Sequence, residues 1–207
     1  MKKIYSLAYC FILFTIVTSC GKGIIGDARI DGIVKDATTN EPIAGATVYL
    51  LASDGDFCLF CPIITYIIDS TTTDNEGCFE FKYDNADGVT YAVNAVKEHY
   101  IDNQEKTFIN ELGNGIDLEV FIDPEAFLKV KVHNVNFYDP WDYLSFSNTN
   151  QSFYGNDVDT TILFSTYGNI ENRLVWGVVN DDHPPEENEN IYLFCPSFDT
   201  TYYEILY

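Results

Sequence analysis

The chain has 207 residues, of which 32 are Asp or Glu and 11 are Lys or Arg, so it carries a net charge of −21 at pH 7. This acidic balance excludes nucleic acid as a partner, because that partner is bound by neutralising phosphates, and it makes copies of the chain repel one another. With 46% hydrophobic residues, including 15 Tyr and 15 Phe, the chain has enough apolar area to offset the entropy of ordering and is not a disordered segment.

Lys2 and Lys3 precede an apolar stretch from Leu7 to Val17, too short for a comfortable membrane span and of the length of a signal h-region. It ends in Val17-Thr18-Ser19-Cys20, which resembles the lipobox read by lipoprotein signal peptidase: an aliphatic residue, two small residues, then the cysteine whose thiol takes diacylglycerol. The resemblance implies a signal peptide over residues 1–19, a linker over 20–27 and a mature lipoprotein held on a membrane through Cys20. An ordinary secretory signal cleaved after Ser19 is the alternative. Acyl anchoring contributes roughly 0.8 kcal/mol per buried CH₂ and needs more than one chain to be stable, which the palmitate-type chains of a lipoprotein supply. Gly21 stands where an aspartate would mark inner-membrane retention, so the expected address is the outer membrane of the cell envelope. Its periplasmic and surface faces both stay open.

From Ala28 onward, short runs of Val, Ile, Thr, Tyr and Phe are broken by Gly, Asn, Asp and Pro at the spacing of an all-β sandwich. The spacing predicts strands over Ala28 to Val34, Ala46 to Leu51, Asp69 to Thr73, Cys78 to Tyr83, Thr90 to Lys97, Thr107 to Asn110 and Gly115 to Ile122. In the last of these Ile116, Leu118, Val120 and Ile122 share a face opposite Asp117 and Glu119.

Three segments in order carry a family likeness: Gly32-Ile33-Val34-Lys35-Asp36, then Thr39-Asn40-Glu41-Pro42-Ile43-Ala44-Gly45-Ala46-Thr47-Val48-Tyr49-Leu50, then Thr73-Asp74-Asn75-Glu76-Gly77-Cys78-Phe79-Glu80-Phe81. They resemble the carboxypeptidase regulatory-like family. The resemblance implies a seven-stranded, transthyretin-like (prealbumin-like) β-sandwich over 28–124 that accompanies or positions other domains and does no chemistry itself. One departure is an insertion, Asp54 to Ile68, whose Phe57-Cys58-Leu59-Phe60-Cys61-Pro62-Ile63-Ile64-Thr65-Tyr66 is unusually apolar for a surface loop. It either packs over a sheet edge or an interdomain seam, or meets a partner or membrane.

After Asp123-Pro124 a second set of strands begins with Phe127 to Val135, where Leu128, Val130 and Val132 alternate with Lys129, Lys131 and His133. Further strands are expected over Tyr143 to Ser147, Thr161 to Thr166, Arg173 to Val179, Ile191 to Phe194 and Thr201 to Ile205, making a second small Ig-like β-sandwich over 125–207. The polar run Asp181 to Asn190 reads as a long loop.

Motifs for chemistry are few. Cys58-Leu59-Phe60-Cys61 has redox-pair spacing, but its β-branched flanks lack the helix N-terminus that lowers a thiol pKa, so a structural disulfide or buried thiols fit better. With Cys78 and Cys195 also present, three pairings stay open. His183-Pro184-Pro185-Glu186 formally fits a His-x-x-Glu zinc pair, yet two prolines deny it one rigid element, and no metal or other cofactor is expected there. His99 and His133 stand beside no nucleophile-elbow serine. Asp54, Asp56, Asp157 and Asp159 lack the spacing of a calcium loop. No pair of carboxylates is singled out for glycoside hydrolysis.

One segment reads as a site. In Phe137-Tyr138-Asp139-Pro140-Trp141-Asp142-Tyr143, exposed rings beside carboxylates would stack on a sugar ring, with Tyr138, Trp141 and Tyr143 as the platform; core filling is the competing reading. Trp176 reads as core. The expected function is a non-enzymatic cell-envelope lipoprotein with a structural or protein-interaction role; the alternative is a glycan-binding surface lipoprotein. Its partners would be the membrane through the lipid anchor and an envelope protein or a glycan.

Overall fold

The computed structural model describes residues 24–54, 65–86, 88–102, 106–109, 114–136, 140–147, 149, 151–179 and 189–207, and every regular element in them is a β-strand. The first seven are β1 (Ile24–Asp36), β2 (Thr47–Asp54), β3 (Tyr66–Thr72), β4 (Cys78–Ala86), β5 (Val89–Val96), β6 (Thr107–Ile109) and β7 (Asn114–Ile122). The next seven are β8 (Glu125–His133), β9 (Tyr143–Phe146), β10 (Gln151–Tyr154), β11 (Asp159–Tyr167), β12 (Ile170–Val179), β13 (Glu189–Cys195) and β14 (Thr200–Leu206).

They form two β-sandwiches. In the first, a sheet of order β4-β1-β7 packs on one of order β3-β2-β5-β6; in the second, β11-β8-β14 packs on β10-β9-β12-β13. Adding seven to each label of the first sandwich produces the second, so the two are topological repeats. In each, the opening strand runs antiparallel to the fourth and parallel to the seventh.

Period-two burial builds both cores. On β8, Ala126, Leu128, Val130 and Val132 are buried while Lys129, Lys131 and His133 alternate with them toward solvent. The first core sets Ile30, Val34, Phe81 and Val120 against Val48, Leu50 and Val93. The second sets Leu128, Val130, Val132 and Ile205 against Leu144, Phe146, Leu174 and Trp176. Each such side chain contributes roughly 1.5–3 kcal/mol on burial.

The turns of the resembling segments have clear causes. Asp74 Oδ1 accepts from the backbone N–H of Glu76 at 3.0 Å and of Cys78 at 2.8 Å. Gly77 closes this turn at φ +76, where a Cβ would also lie 3.0 Å from Val34 O and Ile43 N, so both conformation and space require glycine. Just before it, buried Thr73 donates its hydroxyl to Ile43 O at 2.7 Å and accepts from Ala46 N at 2.8 Å. Thr73→Val keeps the shape and strands both backbone groups, so chemical denaturation should show a loss of about 2–4 kcal/mol.

Several elements depart from the spacing: β1 begins at Ile24, inside the expected linker, β12 at Ile170, and β13 at Glu189, inside the expected loop. β10 was not expected: Gln151, Ser152 and Tyr154 are exposed and only Phe153 packs on the core, so this short edge strand has almost no alternation. β3 begins at Tyr66 and not Asp69, because Leu51↔Ile67 and Ala52↔Tyr66 continue the pairing past a register shift. Its Tyr66, Ile67 and Ile68 stay exposed on the edge strand. The rest of the apolar insertion, 55–64, lies outside the described residues.

Candidate functional site

Two places gather polar and aromatic groups: the junction between the sandwiches and one patch on the outer face of the sheet β10-β9-β12-β13.

At the junction only Asp123 and Pro124 separate β7 from β8. Pro124 is fully buried and restricts Asp123 to extended backbone. Glu125 N donates to His99 O at 2.9 Å, Gly168 N to Pro124 O at 2.7 Å, and Phe198 N to Glu125 O at 2.7 Å. The linker is thus gripped by the β5–β6 loop on one side and by the β11–β12 and β13–β14 turns on the other. His99, Asn169 and Phe198 sit at φ 66, 56 and 62. Such left-handed backbone costs roughly 1–2 kcal/mol at a non-glycine residue, so the contacts made there must outweigh it.

A side-chain network crosses the same seam. Asp36, buried at the end of β1, accepts from Thr38 N at 2.8 Å, Thr38 Oγ1 at 2.7 Å, Thr39 N at 2.9 Å and the Tyr100 hydroxyl at 3.3 Å. From the second sandwich, Asn169 Nδ2 donates to Thr38 Oγ1 at 3.1 Å, while Asn169 Oδ1 accepts from Ser197 N at 3.0 Å. The Tyr100 ring meets Phe198 edge-on, with centroids 5.4 Å apart. Burial alone would push the Asp36 carboxyl up; the hydrogen bonds donated by Thr38, Thr39 and Tyr100 outweigh it and hold it below the ordinary carboxylate value.

Burial, then the charge and hydrogen bond of Asp36 and the charge of Glu41, push the Tyr100 phenol from 10.0 to about 12. A raised acid pKa contributes stability that is complete below the unfolded value and is lost as pH rises through the folded one. Between pH 10 and about 12, where the unfolded chain has released this proton and the folded one keeps it, the wild type should therefore lose stability, and Tyr100→Phe should flatten that part of the profile of denaturation free energy against pH.

The patch lies at the far end of the second sandwich. Trp141, in the turn before β9, is 70% exposed, and Tyr143 opens β9 half-buried. Tyr143 pairs with Tyr154 of β10 in the sheet register, their centroids 4.8 Å apart and their planes tilted by 31°. Tyr154 is 66% exposed. Beneath, buried Asp142 accepts from Gly155 N through its carbonyl at 2.9 Å, and Asn134 Nδ2 donates to Gly155 O at 3.2 Å. The first bond ties the residue after Tyr154 to the residue before Tyr143, and the second ties it to the residue after β8, so the ring pair is held together. Burial, then the charge of Asp142, push the Tyr207 phenol up.

Of the platform residues expected from sequence, the structure brings Trp141 and Tyr143 to this end, while Tyr138 lies outside the described residues. Cys20, the expected lipidation site, and Cys58 and Cys61, the expected disulfide, also lie outside them, as does His183. Cys78 is an exposed free thiol and Cys195 a buried one. Trp176 is buried in the second core. Sequence reasoning missed Tyr154 and the whole seam. Tyr154 carried no signal because its strand was unexpected; Asp36, in Asp-Ala-Thr-Thr, had the composition of a turn and nothing that announced a contact across domains.

No family model matches the chain, and no curated protein matches it. Among solved structures the chain is similar to the Bacillus anthracis TIE protein, at 12% identity and TM-score 0.39, over 87% of this chain and 34% of that one, so it spans about a third of that protein's length. It is also similar to the minor pilin of Streptococcus agalactiae, at 10% identity and TM-score 0.39, over 86% of this chain and 94% of that one. A streptococcal ancillary pilin aligns at 11% identity and TM-score 0.41, over 87% of this chain and 62% of that one. The fold assignment rests on the sheets themselves.

Proposed function

We propose that the chain is a non-enzymatic envelope lipoprotein that acts as a rigid two-sandwich spacer or interaction module. The observation that carries this reading is the seam: a two-residue linker, backbone hydrogen bonds on both sides of it and the Asp36–Thr38–Asn169 network fix one sandwich against the other. Its polar groups serve geometry. The resemblance to the carboxypeptidase regulatory-like family supports a module that positions something else, and the lipobox resemblance supports a tether through Cys20 at the outer membrane.

The test uses the intact chain expressed with its leader. Labelled palmitate should enter the wild type and not Cys20→Ala, and an envelope protein should co-purify from detergent-solubilised membranes. That protein should be lost with Gly168→Val, a change aimed at the relative orientation of the sandwiches. Co-purification that ignores Gly168→Val contradicts the spacer reading; palmitate that ignores Cys20 contradicts the tether.

A second reading, glycan binding at the surface, is favoured by one observation: Tyr143 and Tyr154 stand as adjacent rings, and Trp141, two residues before Tyr143, is exposed.

A further inference from the structure

Resting on that second reading, we infer that the outer face of β9 and β10 is a binding site for an uncharged sugar ring, built as a two-by-two tile of Tyr143, Tyr154, Ser145 and Ser152. The register pairs Tyr154 with Tyr143 and Ser152 with Ser145, and alternate residues of a strand share a face. All four side chains therefore point outward, opposite Leu144 and Phe153, which pack on the core. The two rows lie about 7 Å apart along the strands and the two columns about 4.8 Å apart across them. Those are the dimensions of one sugar ring.

The chemistry of the tile selects its occupant. At 4.8 Å and 31° the two rings stack on each other, so the free apolar surface is the outer face of Tyr154, 66% exposed and with a hydroxyl at its tip, which matches the C–H face and equatorial hydroxyls of a pyranose. Among the described residues, neither serine hydroxyl and neither of these two phenols has a side-chain hydrogen-bond partner, so four groups that donate and accept face solvent around the rings. No charged side chain belongs to the tile, so it offers no counter-charge to an anionic or cationic ligand. A second copy would bring −21 against −21. A flat apolar ligand would leave the hydroxyl row unsatisfied. The ring-plus-hydroxyl arrangement is complete only with a neutral polyol ring.

The experiment is affinity electrophoresis of the intact chain through gels containing starch, xylan, a mixed-linkage β-glucan or a galactomannan. At least one should retard the wild type. Tyr154→Ala and the Ser145→Ala/Ser152→Ala pair should each weaken retardation about tenfold, whereas Tyr154→Phe should keep most of it. Unchanged melting would show that the variants fold. Retardation that survives Tyr154→Ala but disappears in Trp141→Ala overturns the tile and leaves glycan binding standing. No retardation of the wild type in any gel overturns both. A concentration-dependent increase in mass that Tyr154→Ala abolishes makes the face a self-contact and overturns the sugar assignment.

Discussion

Replacing Gly168 with valine is expected to cost about 3 kcal/mol and to free the two sandwiches from each other. A Cβ at this position would lie 2.7 Å from Ser197 Cα and 3.1 Å from Pro124 O. Neither neighbour can retreat freely: Pro124 O accepts from Gly168 N at 2.7 Å, and Ser197 N is held by Asn169 Oδ1 at 3.0 Å. The two closest contacts lie within the second sandwich, so relief parts the β11–β12 turn from the β13–β14 turn as well as from Pro124 O; both turns hold the linker, and their bonds across the seam weaken. The wild type should unfold in one cooperative transition. The variant should unfold in two, and small-angle scattering should show a larger maximum dimension before either. A single transition at the wild-type midpoint would mean that the seam carries little energy.

The second large effect belongs to Asp36. Asp36→Asn keeps the size of the side chain, removes the charge and presents an amide donor to either the Thr38 and Thr39 N–H groups or the Tyr100 hydroxyl. The expected loss is about 2 kcal/mol near neutral pH, typical of removing hydrogen bonds to a buried charged group. Its pH dependence has a definite sign. The folded carboxyl titrates below its ordinary value of 3.8, so its contribution is present above that value and fades as pH falls through the lower, folded one. Wild type and variant should therefore differ by a constant amount from pH 5 to 8 and converge in acid. A gap that widens in acid would contradict the assignment.

Much of the fold was legible in the sequence because it is written in burial period. The alternation of Leu128, Val130 and Val132 with lysines located β8, and the Asp-Asn-Glu-Gly turn located the start of β4 at Cys78. β10 escaped because edge strands need not alternate: a single packing residue, Phe153, marks its inner face. Strand order was less accessible. That the second sandwich repeats the first emerges only from pairing, since β8 and β14 meet across most of a domain.

The candidate site was legible in part. An aromatic run with carboxylates pointed to Trp141 and Tyr143, yet their partner Tyr154 arrives through sheet register, which local sequence does not encode. The seam was hidden for a similar reason. Thr38 and Asn169 look like ordinary turn residues, and their bond spans 131 positions.

A rigid seam fixes the distance between the two sandwiches. Spin labels on native Cys78 and on Thr161→Cys, with the other cysteines of the mature chain other than Cys20 replaced by serine, place one probe on each sandwich at exposed strand positions. Their pulsed dipolar spectrum should give a single narrow distance distribution that broadens in Gly168→Val. A broad or multimodal distribution in the wild type would show that the sandwiches move independently and would contradict the account.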